Sequence, residues 1–285
     1  MKNKVLYILF YIISLFPIWY LYILSDILYL FVYKIYGYRK EIVYNNLSKS
    51  FPNKNNNEII EIQDKFYRHF FDIIIESVKS ISAKKDFFKK RVRFKNKEIF
   101  NKYNDLEKSV ILAVSHYGNW EWGILGISIN TNQKIVGVYK EINTRFFDNL
   151  MMKIRSKFGA KLIEMNQTPR YIIENKDKCM IIGLLADQSP TKNESNYWGT
   201  FLNQETPVYT GPEKISKKMN YPVIFCSMNK IKRGKYEVLI EELCINPLNT
   251  NDGEITSLYL QKIEDKIKEK PEYWLWTHRR WKHTK

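Results

Sequence analysis

Histidine, cysteine and acidic residues are all scarce in this chain. Four histidines (His69, His116, His278 and His283) and three cysteines (Cys179, Cys226 and Cys244) occur in 285 residues. The cysteines are odd in number and far apart, and no C-x-x-C occurs. Neither a disulfide framework nor a zinc knuckle is therefore expected, and reduced thiols packed as small hydrophobes fit better. H-E-x-x-H is missing, and the His/Cys spacing offers no metal site. No G-x-S-x-G nucleophile elbow is present. The phosphate-cradling patterns G-x-x-x-x-G-K-[ST] and G-x-G-x-x-G are missing too, so no metal or organic cofactor is expected. The acidic deficit leaves 46 Lys+Arg against 30 Asp+Glu, a net charge of +16. Such an excess implies a polyanionic partner: nucleic acid, anionic lipid or an acidic carrier protein. Abundant Lys, Asn, Ile and Tyr also fit drift in an AT-rich genome. The basic residues are scattered rather than striped, and no recognised nucleic-acid-binding motif appears, so no nucleic-acid partner is expected.

What the chain does have begins at its N-terminus. Val5 to Leu24 carries no charge over 20 residues, long enough to span a bilayer core as a helix. It lacks the short apolar run and small-residue cleavage site of a signal peptide, and reads as a retained anchor. Pro17 and Asp26 leave two alternatives, one crossing or a kink at Pro17 that keeps the segment within one leaflet. Tyr11, Trp19, Tyr20 and Tyr22 suit an interfacial belt. Lys34, Arg39 and Lys40 after the run outweigh Lys2 and Lys4 before it, which places the rest of the chain on the cytoplasmic side. Residues 1–36 are accordingly expected to form the anchor and 37–285 the main domain.

The stretch 37–58 reads as a polar connector broken at Phe51-Pro52. From Glu58 to Ile81 apolar residues recur at helical spacing and give an amphipathic helix. From Ser109 onward the period changes. SVILAVS, KIVGVYK, CMIIGLLAD, YPVIFCSM and KYEVLIEE are strand candidates. Helical stretches after Asn119, over 143–158, at GPEKISKKM and over 256–270 alternate with them. The pattern is that of an α/β fold with a mixed, largely parallel sheet flanked by helices.

His116 falls where SVILAVS ends and the next helix begins, the sheet edge at which open α/β folds place their ligands. Glu121 follows five residues later. The two converge only if His116 lies in the loop and Glu121 in the first helical turn, with Gly118-Asn119 as the break and Asn119 as N-cap. A carboxylate on one imidazole nitrogen leaves the other free as a base, which makes His116 and Glu121 the candidate catalytic pair. Asp187-Gln188 ends another buried strand on the same edge. Direct attack of a hydroxyl on an acyl thioester needs only a base, a positioned carbonyl and oxyanion donors. Helix N-terminal amides after His116, or Arg155, supply such donors. The C-terminal PEYWLWTHRRWKHTK sets Trp274, Trp276 and Trp281 among Arg279, Arg280, Lys282 and Lys285. It reads as tryptophans turned inward and arginines at the site or the membrane face.

HYGNWEWG (116–123) resembles the H-x4-[D/E] signature of the lysophospholipid acyltransferase superfamily. In its H-x-x-N-W-E form it is similar to the late lipid A biosynthesis acyltransferases. The apolar N-terminal segment with its proline, YRKEIVYNNLSKSFP (38–52), Arg155 in MKIRSKFGAKLI, LLADQSP (184–190) and PEYWLWTHRRWK (271–282) follow in matching order over nearly the whole chain. The resemblance implies a glycerol-phosphate acyltransferase-like α/β fold. It implies an acyl thioester donor on acyl carrier protein or acyl-CoA, and a lipid A precursor hydroxyl as acceptor, at the cytoplasmic side of a bacterial inner membrane. His116 would be the base and Glu121 its partner. Asn119, Arg155, Asp187 and Gln188 would line the substrate site, and Arg279 and Arg280 would be phosphate-facing or structural. The chain departs from the pattern at Leu202-Asn203, where relatives carry an aromatic followed by glycine. Relatives of this architecture also acylate other glycolipids, aminoacyl lipids or pigment esters, so these acceptors stand as alternatives. A non-catalytic membrane scaffold is the alternative of another class.

Overall fold

The uncharged N-terminal run does not form one continuous helix. In the computed structural model, which describes residues 2–190 and 197–283, helix α1 (Lys2–Leu15) ends two residues before Pro17, and α2 (Ile18–Leu28) starts immediately after it. Proline lacks the N–H that would continue the ladder. The carbonyls of Ser14 and Phe16, freed at the elbow, are taken by Lys79 Nζ at 2.8 and 2.9 Å, and Ser82 Oγ adds a bond to Ser14 at 2.6 Å. The segment thus bends at Pro17. After α2 the chain continues as a π-helical turn, Tyr29–Ile35. Ile18–Ile35 is long and apolar enough to cross a membrane.

One face of this second segment is fastened to the body of the protein. Tyr22 bonds Glu76, Ser25 bonds Asp72, Asp26 pairs with Arg233, and Tyr29 and Lys34 both reach Asp64. The opposite face leaves Trp19, Tyr20, Ile23, Ile27, Leu30, Phe31 and Ile35 exposed. Stretch 37–58 is not only a connector, because α3 (Lys40–Ser50) lies within it. Val43 and Leu47, at i and i+4, anchor α3 with no exposure at all, and one such pair among mostly polar neighbours is too little to announce a helix. Helix α4 (Asn56–Lys79) opens on a full capping box, Asn55 with Glu58.

The remaining elements are, in order, α5 (Lys85–Lys89), β1 (Val92–Lys95), α6 (Glu98–Asp105), β2 (Val110–Val114), α7 (Trp120–Asn130), β3 (Lys134–Tyr139), α8 (Arg145–Arg155), β4 (Lys161–Glu164), α9 (Thr168–Glu174), β5 (Met180–Leu185), β6 (Trp198–Phe201), β7 (Gln204–Pro207), α10 (Gly211–Met219), β8 (Val223–Lys232), β9 (Lys235–Cys244) and α11 (Glu254–Glu269). Seven strands form one sheet in the order β1-β9-β8-β2-β5-β3-β4. Every neighbouring pair is parallel except the hairpin β8–β9. The expected mixed, largely parallel sheet flanked by helices is present. Alternation along β2 divides the interior. Ile111 and Ala113 join the core beneath α4 and α11, while Val110 and Leu112 join the one beneath α7 and α8.

Strands β1 and β4 and the hairpin β6–β7 have no clear sequence signal. β1 alternates Val and Phe with Arg and Lys inside a basic run, and the others are four residues long. Leu202-Asn203, the point of departure from the family pattern, is the β6–β7 turn, with φ of 48° and 63°. Leu202 is fully buried, and its N–H bonds Glu264. Neither residue lines the active-site cavity described below. The C-terminal segment is not a helix. A single 3-10 turn, Pro271–Tyr273, leads into irregular chain in which Trp274, Trp276 and Arg280 are buried. Lys285 lies outside the described residues, as does the side chain of Lys2.

Candidate active site

The site begins with strand register. Val114 of β2 pairs with Leu185 of β5, so the residues two beyond each, His116 and Asp187, leave neighbouring strand ends side by side. Tyr259 of α11 ties the two ends together. Its hydroxyl donates to the Val114 carbonyl and accepts the Ala186 N–H at 3.2 Å. Asp187 then takes His116 twice. One carboxylate oxygen lies 2.7 Å from Nδ1 and the other accepts the His116 backbone N–H at 2.9 Å.

Asp187 is itself held from behind. Trp274 Nε1 donates to its carboxylate at 2.8 Å, and Arg280 Nε donates to its backbone carbonyl at 2.8 Å. Burial alone would raise this carboxyl. The His116 charge, the two His116 bonds and the Trp274 bond outweigh it and hold Asp187 below the usual carboxylate range. Because the carboxylate accepts from Nδ1, the neutral imidazole carries its proton there and presents an unprotonated Nε2. Gln188 Nε2 lies 3.4 Å from that nitrogen.

Glu121 occupies the first turn of α7, as expected, but its oxygens go elsewhere. Arg155 donates Nε to one at 2.8 Å and Nη2 to the other at 2.6 Å, and Trp120 Nε1 adds a bond at 3.0 Å. Burial would raise the Glu121 carboxyl. Arg155, then Trp120 and the charge of His116, bring it below its ordinary value. The expected His116–Glu121 bond is therefore replaced by two separate pairs, His116–Asp187 and Glu121–Arg155. The reason is geometric: the adjacent strand end lies closer to Nδ1 than the helix does.

His116, Glu121 and Arg155 face one cavity of about 350 Å³, with Asp187 buried behind His116, and the volume is within the ordinary range for ligand sites. Its polar end carries His116, Glu121, Arg155 and Gln188, joined by Lys140, His278 and Lys282. Its inner part is apolar and runs between α7 and the sheet, lined by residues such as Leu112, Ile124, Ile135, Leu162 and Val238. Gly183, on the floor, makes room: a Cβ there would meet nothing closer than the Val136 carbonyl oxygen at 3.8 Å.

Four expected site residues lie outside the cavity lining, among them Asp187, which is buried behind His116. Asn119 is fully buried and outside the cavity lining. Its Oδ1 caps α7 at the Trp122 N–H, and its Nδ2 bonds Glu76. Arg280 is not phosphate-facing, for it is buried among Asp187, Thr206 and Pro207, and burial depresses it to about 10. Arg279 is exposed and away from the cavity.

Lys140 and His278 were not among the expected site residues: Lys140 closes the strand candidate KIVGVYK at the same sheet edge, a signal that could have found it, whereas His278 reaches the cavity from irregular C-terminal chain whose path the strand pattern does not fix. Burial lowers His278 to about 4, and it is neutral at physiological pH. Among the described residues no group of three or more His, Cys, Asp or Glu side chains is placed to hold a metal ion.

A cavity with a largely apolar lining and a histidine beside it is a shape that suits acyl transfer. The chain matches the family described as bacterial lipid A biosynthesis acyltransferase over residues 4–283. It belongs to that family. The protein is thus an acyltransferase of lipid A biosynthesis, which uses an acyl donor and a lipid acceptor. No curated protein sequence matches it. Its apolar N-terminal helix and the lipid A pathway are consistent with association with a membrane.

Proposed function

We propose that this acyltransferase moves a fatty acyl chain from an acyl thioester, on acyl carrier protein or acyl-CoA, to a hydroxyl of a lipid A precursor, with His116 as general base. The observation that carries this reading is the His116–Asp187 pair at the mouth of the apolar cavity. The acyl chain enters the space over Gly183 and leaves its thioester carbonyl beside His116. Nε2 takes the proton of the acceptor hydroxyl, whose oxygen attacks the carbonyl carbon. The tetrahedral intermediate collapses, the C–S bond breaks, and the imidazolium returns the proton to the departing sulfur. The products are an ester and a free thiol.

Arg155 and Gln188, both in the cavity lining, supply positive charge and a donor N–H near the developing oxyanion. Glu121 holds Arg155 in place, and Asp187 takes the orienting role expected of Glu121. Lys140 and Lys282 at the polar end suit an anionic acceptor or a phosphopantetheine arm. An excess of +16 charges favours encounter with an acidic carrier protein.

The exposed apolar face of α1, α2 and the π-helical turn lies against the bilayer, with the catalytic domain on the cytoplasmic side of the inner membrane. Lys79 and Ser82 bond the α1–α2 elbow, and the exposed Lys84, Lys85, Lys89 and Lys90 follow them in the chain, where anionic headgroups would meet them.

The deciding experiment is mass spectrometry of total lipids, lipid A included, from a host lacking the gene and complemented with wild type or His116→Ala. Loss of one acyl chain from lipid A, restored by wild type alone, supports the reading. The same result on an aminolipid or pigment ester keeps the chemistry and overturns the acceptor. No change in any lipid overturns both.

A further inference from the structure

A second buried carboxylate lies behind the catalytic turn, outside the cavity. Glu76 of α4 has no exposed surface and is not used in the chemistry above. One of its oxygens accepts the Tyr22 hydroxyl of α2 at 2.7 Å. The other accepts Asn119 Nδ2 at 2.5 Å and the Tyr236 hydroxyl of β9 at 2.7 Å. Its backbone carbonyl accepts Trp122 Nε1 at 3.0 Å. One carboxylate therefore joins the membrane-facing helix, the longest helix, a sheet strand and the N-cap of α7. A buried carboxylate without such donors would be strongly disfavoured.

The neighbouring residue on the same face repeats the pattern. Asp72, one turn earlier, accepts Ser25 of α2 at 2.9 Å and is balanced by Lys230 and Arg233. Tyr22 and Ser25 thus seat α2 on two carboxylates four residues apart. Glu76 continues from there directly to the turn that carries His116, through Asn119, whereas Asp72 reaches it only by way of Lys230, His69 and the Gly118 carbonyl. That turn has little slack. Gly118 takes φ of 67°, its carbonyl bonds His69 Nε2, and Asn119 fixes the start of the helix bearing Glu121.

We propose that Glu76 is a positioning residue that couples the seating of the membrane-facing helix α2, through Tyr22 and Asn119, to the geometry of the catalytic turn. The idea rests on the proposed role of His116, so its test uses a reaction simpler than lipid acylation. Full-length enzyme is supplied with acyl-CoA and no acceptor, and thiol release by hydrolysis is followed in phospholipid vesicles and in detergent.

Asn119→Asp keeps the oxygen that caps α7 but sets a carboxylate against Glu76. At pH 8 or above, where Glu76 is ionised, the kcat of this variant is expected to fall about ten- to hundredfold with KM little changed, as for loss of a charge-assisted bond. Glu76→Gln combined with Asn119→Asp restores a donor facing an acceptor, with the polarity reversed, and is expected to recover most of that kcat. Tyr22→Phe, which removes only the α2 link, is expected to abolish any rate advantage of vesicles over detergent. All rates are read well below each variant's melting midpoint, where a role confined to stability leaves kcat unchanged.

Wild-type turnover in Asn119→Asp, or a double variant no faster than Asn119→Asp alone, overturns the positioning role. A vesicle advantage that survives in Tyr22→Phe, or none in wild type, overturns the coupling to α2. Thiol release in wild type that His116→Ala retains overturns the base instead, and leaves the Glu76 comparison readable on its own.

Discussion

Asp187 grips His116 at both its ring and its backbone, with one carboxylate oxygen 2.7 Å from Nδ1 and the other 2.9 Å from the main-chain nitrogen. A single side chain thus sets the tautomer of the His116 ring and the path of the chain that presents it. Glu121 performs neither task, because Arg155 occupies both of its oxygens.

The division of labour predicts different kinetic signatures for the two carboxylates. Asp187→Asn should misplace the ring proton and lower kcat by about 10²–10⁴-fold, the range a general base contributes. Glu121→Gln keeps an acceptor for Arg155 and should cost less in kcat, with a larger share in KM. Steady-state rates with an acyl thioester and its lipid acceptor would separate them. Equal losses in kcat alone would return Glu121 to direct contact with the base.

Much of this arrangement was legible before the structure. The buried runs ending at His116 and Asp187 identify two parallel strand ends, and their shared edge follows from the α/β alternation. The pairing itself was not legible. Whether Asp187 or Glu121 reaches Nδ1 depends on β2 and β5 being immediate neighbours, and strand order is a non-local property. Asn119 misled for a related reason: Asn at an N-cap and Asn in a substrate site look alike in sequence, and only Glu76, 43 residues away, consumes its amide. Helix α3 was hidden because two buried side chains carry it.

Gly118 predicts a stability defect. A Cβ there would fall 2.0 Å from the Met228 carbonyl oxygen, a backbone atom within β8, and φ is 67°. The left-handed conformation alone costs an ordinary residue about 1–2 kcal/mol, and the collision adds to it. Gly118→Ala should therefore lower the denaturation midpoint clearly. An unchanged midpoint would mean that the turn and β8 separate easily.

Gly183 is expected to set acyl-chain length. Val at this position fits a strand, and its methyl groups would enter the cavity floor, where the nearest atom to a Cβ lies 3.8 Å away. Gly183→Val should keep its fold and shift preference toward shorter acyl donors, measured as the ratio of kcat/KM for a long and a short chain. A Cβ at Gly137 would meet the side-chain ends Ile124 Cδ1 and Leu162 Cδ2 at 2.9 Å, and because both residues line the cavity, Gly137→Ala would shift its wall rather than fill its space. A Gly183→Val enzyme with the wild-type chain profile would place the acyl chain elsewhere.

Glu76 gives the last prediction, a pH dependence of stability whose sign is fixed by its surroundings. Burial, then the Asp72 carboxylate, push it up to about 7, against the hydrogen bonds from Tyr22 and Tyr236 and the charge of Lys230. Asn119 contributes a further donor. A carboxyl raised in the folded state stabilises fully below its unfolded value near 4.5, and this stability is lost as pH rises through about 7. The change is at most about 3 kcal/mol, since a tenfold change in proton affinity between the unfolded and folded chains corresponds to about 1.4 kcal/mol. Glu76→Gln cannot ionise and lacks this slope, so its stability relative to wild type should improve between about pH 5 and pH 8. Denaturant melts of both proteins across that window test it. Parallel pH profiles would show that Glu76 stays ionised throughout, with its donors outweighing its burial.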